Sequence, residues 1–224
     1  LGHDAVMLDA KITQVNTDSK RNDFDFGDVV LERCVSYFRG LHFTASLEFM
    51  DVPVLNKFQV ANHCGNKMFM TLLLKKNNIP TPKTYFSFTS ESALENLEKV
   101  GYPLVIKPVI GSWGRGVMQL KDKDTADALF EIRDITDSPH DRIFYLQELI
   151  KRPPRDIRAI MIGDKIVAAI YRNSGNGNWK TNMALGGTAE ECKVTQEMEE
   201  MCIKAKNAVQ GDIVGVDLME SKDR

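Results

Sequence analysis

The chain has 224 residues and a formal net charge of −2, with 43% hydrophobic and 27% charged residues. That balance is ordinary for a soluble globular protein with one large domain or two modest ones, and it excludes the strongly basic class of general nucleic-acid binders. No apolar run approaches the roughly 18 residues of a membrane span, nothing near the start resembles a signal peptide, and Cys34, Cys64, Cys192 and Cys202 lack zinc-site spacing, so reduced thiols in a cytoplasmic protein are expected. The chain begins at Leu1 and stops at Arg224 directly after a strong strand, and it reads as a fragment cut at both ends.

Residues 1–27 are polar and weakly periodic and carry no structural assignment. Val29-Val30-Leu31 reads as a short buried strand, residues 38–49 as a helix, residues 52–56 as a strand and residues 60–64 as a helix. Strand, helix, strand, helix is the order of a parallel α/β unit, here a partial one. Gly65-Asn66-Lys67 marks a boundary, with Asn66 a good N-cap for a helix over residues 68–76. Ile79-Pro80-Thr81-Pro82 forces an extended exit into a strand over residues 84–88. A helix starting at Thr89 or Ser90 puts Ala93, Leu94, Leu97 and Val100 at helical spacing and closes at Gly101.

Residues 101–120, GYPLVIKPVIGSWGRGVMQL, read as strand, loop, strand. Glycines in the loop let the backbone approach a ligand and aim N–H groups at it. Lys107 sits inside the first strand, where a solvated lysine has little reason to be. Either this is an ordinary hairpin with an edge lysine, or it is a flap gripping a nucleotide triphosphate above a phosphate-binding lysine; the spacing fits neither a Walker loop nor a Rossmann turn.

Beyond the hairpin, a helix is expected over residues 124–133 and a strand over residues 144–150. A basic, proline-bearing loop over residues 151–156 precedes a second hairpin, residues 157–162 and 165–171, turning at Gly163-Asp164. The stretch 173–188 is rich in glycine and asparagine, as either a plain surface loop or a functional one. Thr195 caps a last helix whose Met198, Met201, Cys202, Ala205 and Val209 form a buried stripe, and residues 213–216 make a strand that runs into Asp217.

Asp217 is flanked by Val216 and Leu218, and Arg158 lies among apolar neighbours. A charge in such a strand is costly unless paired or holding an ion. Asp217 is therefore either half of a structural salt bridge or a hard oxygen ligand for magnesium. Asp156 and Arg158 share one strand face, and Arg172 closes the partner strand. With Lys67, Lys107 and the glycine loop, the two arginines supply positive charge and donors suited to phosphates. Glu148 is either a solvated edge glutamate or a hydrogen-bonding partner for an adenine amino group. Together these residues describe a magnesium–ATP site between two antiparallel sheets.

Lys67, Lys107-Pro108, GSWGRGV, Gln147-Glu148, Asp156-Ile157-Arg158, Arg172, Thr181-Asn182 and Gly186-Gly187 follow the order of the ATP-grasp superfamily, which the chain resembles from about Val29 onward. Within it the chain is similar to the RimK-like amino-acid ligases, and LERCVS with Arg39, KPVIGSWGR, RDIR and AAIYR resemble the LysX/ArgX group. The resemblance implies an α/β chain, α+β in its catalytic part, with a partial N-terminal domain over residues 1–66 and an ATP-grasp domain over residues 67–224. It implies Lys67 and Lys107 on the ATP phosphates, and Gly111, Ser112, Trp113, Gly114, Arg115, Gly116 and Val117 as the flap. Gln147, Glu148, Leu149 and Ile150 become the adenine-binding strand, Asp156 reaches the ribose, and Asn182 lies near nucleotide and substrate. Arg158 and Arg172 are the catalytic residues, stabilising the transferring phosphoryl group, and Asp217 is the magnesium ligand.

The implied reaction is an ATP-dependent, ADP-forming ligation in lysine or arginine biosynthesis. It joins 2-aminoadipate or glutamate to the C-terminal glutamate of an acidic, LysW-like amino-group carrier protein through an acyl-phosphate. The implied cofactors are ATP and Mg2+, with two ions and Mn2+ as an alternative metal. A homo-oligomer is expected, with neither nucleic acid nor membrane as partner, and Lys151, Arg152, Arg155 and Lys180 form a basic rim suited to the carrier. The alternatives are a RimK-type glutamate ligase acting on a ribosomal protein or small molecule, and a nucleotide-binding module without turnover. Leu185 stands where the family has an arginine before the Gly-Gly pair, which leaves the amino acid open. The family's Glu-x-Asn metal motif is expected about a dozen residues past Asp217, beyond Arg224.

Overall fold

Three β-sheets among the described residues organise the chain in the computed structural model, which describes residues 2–136, 138–175, 179, 181 and 186–221. The first sheet is a parallel pair, β1 (Val30–Leu31) with β2 (Val54–Leu55), joined through helix α1 (Tyr37–Phe49). The Ser36 hydroxyl accepts the Arg39 amide and caps α1. Phe26, Leu47, Met50, Val52 and Val54 form a small core with Val15 and Phe24 against it. The polar segment that carried no sequence assignment is therefore anchored by a few apolar side chains.

Helix α2 (Phe58–Gly65) leads into α3 (Lys67–Lys76). Between them the Asn66 carboxamide oxygen accepts the amides of Met68 and Phe69 at 3.0 and 3.3 Å, the cap expected from sequence. The Lys67 amide donates to the Val109 carbonyl at 2.8 Å, so the start of α3 is fastened beside the strand that carries Lys107.

The second sheet has the order β3 (Thr84–Ser87), β6 (Phe144–Glu148), β4 (Leu104–Lys107), β5 (Met118–Leu120), with every pairing antiparallel. Period-two alternation sends Leu104, Ile106, Leu120, Phe144 and Leu146 to one face. There they pack with Ala93 and Leu97 of α4 (Ser90–Val100) and Ala126 and Phe130 of α5 (Lys123–Asp134). The same alternation turns Val105, Lys107, Tyr145 and Gln147 to the opposite face. β6 ends at Glu148 instead of running to residue 150, because there the strand's edge bonds turn to Lys83: the Glu148 amide donates to the Lys83 carbonyl and the Glu148 carboxylate accepts the Lys83 amide.

The third sheet has the order β10 (Ile213–Leu218), β7 (Arg155–Ile162), β8 (Lys165–Asn173), β9 (Thr188–Glu191), again antiparallel. Ile157, Ala159, Met161 and Ala169 face α6 (Gln196–Val209), where Cys202 completes a core with Cys192. β7 starts at Arg155, two residues earlier than expected, since Asp156 pairs in register with Arg172 and draws the strand out. β9, sequence TAEE, was not anticipated: it is an exposed edge with no apolar face, held by backbone pairing to β8. The Asn56 carboxamide joins the N-terminal part to this sheet, accepting the amides of Asp212 and Ile213 at 2.9 and 3.0 Å and donating to the Ile213 carbonyl at 2.6 Å. Among the described residues no helix is long and apolar enough to cross a membrane.

Candidate active site

The polar faces of the two four-stranded sheets supply the site. On the sheet of β7, β8 and β10, residues 156, 158, 172 and 217 lie on the face turned away from α6. Asp217 is in register with Arg158, and Asp156 with Arg172. Arg158 makes a two-point ion pair with Asp217, with its Nη2 2.8 Å from Oδ2. Arg172 bridges two carboxylates, donating from Nε to Asp156 Oδ1 at 2.7 Å and from Nη2 to Asp217 Oδ1 at 2.9 Å. The Thr181 hydroxyl donates to Asp156 Oδ2.

Burial separates these pairs into two kinds. The side chains of Arg172 and Asp156 are each 13% exposed, whereas those of Arg158 and Asp217 are 35% and 51% exposed. Asp156 fixes Arg172 from below, while Arg158 and Asp217 stand at the open surface where a ligand can exchange with them. Gly215 makes the room: a Cβ there would lie 3.1 Å from Arg158 Nη1 and 3.4 Å from its Cδ. Sequence reading passed over this glycine, although a lone glycine between Val214 and Val216 in a strand signals a close approach.

From the other sheet, Lys107 donates to Gln147 Oε1 at 2.6 Å. Burial pushes the Lys107 ammonium down to about 8, with the charges of Lys67 and Arg152 acting in the same direction and Asp217 opposing them. Asp217 acts on it from the far sheet, and Arg152 from the loop that follows β6. Lys67 donates to the Gly111 carbonyl at 2.7 Å, at the root of the glycine loop, and burial lowers its pKa as well.

The loop itself has left-handed residues at Trp113, Gly114 and Gly116, with φ of 58°, 69° and 68°. The Arg115 amide donates to the Ser112 carbonyl at 3.2 Å and the Val117 amide to the Gly114 carbonyl at 3.3 Å, two consecutive turns. Trp113 is 53% exposed and stacks on the Arg115 guanidinium 4.9 Å away. Leu149 and Ile150 follow β6 directly and are half-buried.

Some expected residues are placed differently. Arg155 is not part of a basic rim on the site face: it pairs with Glu220 at 2.7 Å and lies 4.0 Å over the Tyr171 ring, on the α6 side of β7. Arg152 is half-buried instead of lining a solvated rim, and donates to the carbonyls of Pro153, Arg155 and Trp179. Both Asp156 oxygens already accept from protein donors, and one Glu148 oxygen accepts the Lys83 amide. Asn182, Lys180 and Leu185 lie outside the described residues.

The donor set suits a polyphosphate: two lysines, two arginines and a glycine loop around a shared gap. For magnesium the site offers Asp217, half-exposed, and among the described residues no three His, Cys, Asp or Glu converge. One carboxylate together with phosphate oxygens and water is the usual way magnesium is held beside a nucleotide, so the residues fit an ion bound jointly with a triphosphate.

Residues 64–224 match the RimK-like ATP-grasp domain and residues 1–63 the LysX preATP-grasp domain. The chain is 40% identical over 206 residues to the alpha-aminoadipate–LysW ligase LysX of Saccharolobus solfataricus, covering 91% of this chain and 74% of that protein. It is 34% identical over 197 residues to the glutamate–LysW ligase ArgX of Sulfurisphaera tokodaii, covering 88% and 70%. In fold it is similar to the RimK domain ATP-grasp protein of Sphaerobacter thermophilus, with a TM-score of 0.78 at 19% identity over 99% of this chain and 78% of that one. With two antiparallel sheets presenting lysines, arginines and Asp217 to one gap, the chain belongs to the RimK-like ATP-grasp family and is an ATP-dependent, ADP-forming ligase of carbon–nitrogen bonds.

Proposed function

We propose that the protein joins 2-aminoadipate or glutamate to the C-terminal glutamate of an acidic, LysW-like carrier protein, in the cytoplasm, as a step of lysine or arginine biosynthesis. The observation that carries this reading is the cluster of Arg158, Arg172 and Asp217 on one sheet, with Asp217 near enough to act on the Lys107 ammonium of the other, within a chain similar to two LysW ligases. The nucleotide-binding part begins near Lys67, after a separate N-terminal domain over residues 1–66.

Lys67 and Lys107 hold the ATP phosphates, and the loop from Gly111 to Val117 lowers backbone donors onto them and excludes water. Glu148, Leu149 and Ile150 border the adenine, while the Gln147 side chain holds Lys107. Arg158 and Arg172 face the transferring phosphoryl group, where fixed guanidinium donors stabilise charge that develops in the transition state. Asp156 keeps Arg172 in that orientation. Asp217 would hold magnesium, two ions being expected, and the metal supplies charge neutralisation at the phosphate oxygens. A substrate carboxylate takes the γ-phosphoryl group, ADP leaves, and the amine of the second substrate then displaces phosphate from the acyl-phosphate. Lys151, exposed beside the site, gives the approach a positive charge suited to an acidic carrier.

The test is ADP release by the purified protein with ATP, magnesium and the carrier, with 2-aminoadipate or glutamate in turn. Carrier-dependent ADP release, with a mass increase of one residue on the carrier, is expected with one of them. Release that needs no carrier and appears with a free small-molecule acceptor would overturn the carrier assignment.

A further inference from the structure

The face of the first nucleotide-binding sheet that holds Lys107 also carries a closed run of side-chain hydrogen bonds. Gln147 is 6% exposed, and its Nε2 donates to Thr84 Oγ1 and to the Tyr145 hydroxyl, each at 2.9 Å. The Thr84 hydroxyl in turn donates to the Pro82 carbonyl at 2.9 Å. The Tyr145 hydroxyl lies 2.8 Å from the Thr71 hydroxyl, one turn along α3 from Lys67.

These contacts fix the direction of the Gln147 amide. An ammonium only donates, so the group that meets Lys107 must be the carboxamide oxygen. The nitrogen must then find two acceptors. Thr84 provides one, since its own proton goes to Pro82. Tyr145 provides the other through a lone pair of its hydroxyl oxygen, whichever of the two hydroxyls donates in its bond to Thr71. Each hydroxyl thus accepts from the Gln147 nitrogen, and a reversed amide would set donor against donor at Lys107.

The choice of glutamine has an electrostatic consequence. A carboxylate at this position would hold Lys107 equally well but cancel its charge. A neutral oxygen fixes the ammonium and leaves the full positive charge for an anion arriving from the gap. We propose that Tyr145, Thr84 and Thr71 are positioning residues that orient Gln147, so that its oxygen holds Lys107 in place for a polyphosphate without neutralising it. This rests on the reading that Lys107 meets the nucleotide phosphates.

The experiment compares binding of ATP and of adenosine, by calorimetry, to the parent chain and to Tyr145→Phe, Thr84→Val and Gln147→Glu. With one strut of the amide removed, Tyr145→Phe and Thr84→Val are expected to weaken ATP by roughly five- to tenfold, the worth of about one hydrogen bond, and to leave adenosine binding as it was. Gln147→Glu, nearly isosteric, is expected to weaken ATP more than tenfold while melting no lower than the parent, because the new carboxylate pairs with Lys107. If the hydroxyl variants lower the melting temperature but keep the ATP-to-adenosine ratio, the residues are structural only and the inference fails. If they do not fold, Gln147→Glu decides, and ATP binding as tight as the parent's overturns the inference. A parent chain that binds no ATP would remove the phosphate reading itself, whereas parental binding with unchanged variants removes the positioning role alone.

Discussion

Asp217 and Arg158 sit directly opposite each other on β10 and β7 and share a two-point ion pair, with Arg172 reaching the same carboxylate from β8. The acid assigned to metal and the bases assigned to phosphate therefore satisfy one another before any ligand arrives. Asp217→Asn is expected to leave the fold within about 1 kcal/mol of the parent, the usual worth of an exposed pair. Turnover should fall by roughly 100-fold or more, the scale of losing one electrostatic stabiliser. Thermal melts beside an ADP-release assay check both halves; parental turnover would remove Asp217 from the metal role.

The buried pair behaves in the opposite way. Asp156 and Arg172 are each 13% exposed, and Asp156 also anchors Thr181. Asp156→Ala leaves a guanidinium poorly compensated and is expected to cost about 2–4 kcal/mol in a denaturant titration. Arg158→Ala, at the open surface, should cost less than about 1 kcal/mol and still remove activity. Equal destabilisation by the two substitutions would contradict this division of roles.

Which parts of this arrangement were legible in the sequence follows from the range of the signals. Arg158 and Asp217 stood out because a charge inside an alternating apolar strand breaks a local pattern, and Asn66 because a cap is fixed by its next three residues. β9 was invisible, since an edge strand with no buried face leaves no period of two. The destination of Arg155 depends on a partner far along the chain, Glu220, which no local pattern reveals, whereas Arg152 folds back on the carbonyls of Pro153 and Arg155. Gln147 likewise depends on a distant partner: the family resemblance implied a place in the adenine-binding strand, but its side chain reaches Lys107.

Gly215 gives a test of geometry separate from charge. Its backbone is extended and paired in β10, so alanine is tolerated by the strand and gains a few tenths of a kcal/mol in backbone entropy. The added methyl would come within 3.1 Å of Arg158 Nη1, and the flexible arginine must move aside. Gly215→Ala is expected to melt within a degree or two of the parent and to lose about tenfold in turnover, as a small misplacement of an electrostatic group does. Parental turnover would mean that the guanidinium position is not critical.

Lys107 gives a pH dependence whose sign follows from its surroundings. Its ammonium is held down to about 8 against an ordinary 10.5, first by burial and then by the charges of Lys67 on α3 and Arg152 after β6, with Asp217 on β10 pulling the other way. Below pH 8 the group is already protonated, and a phosphate ligand finds the charge it needs. Above pH 8 the free protein holds the neutral amine, so binding must take up a proton, and affinity should fall by up to about tenfold per pH unit. ATP affinity measured from pH 7.5 to 9.5 is therefore expected to bend downward near 8. Proton uptake is read separately by calorimetry in two buffers of different ionisation enthalpy. Lys107→Arg, whose guanidinium stays charged throughout, should lose most of that slope, leaving only the part due to Lys67, which burial also lowers. An affinity that stays level to pH 9.5 in the parent chain would show that Lys107 does not meet the phosphates as a charged group.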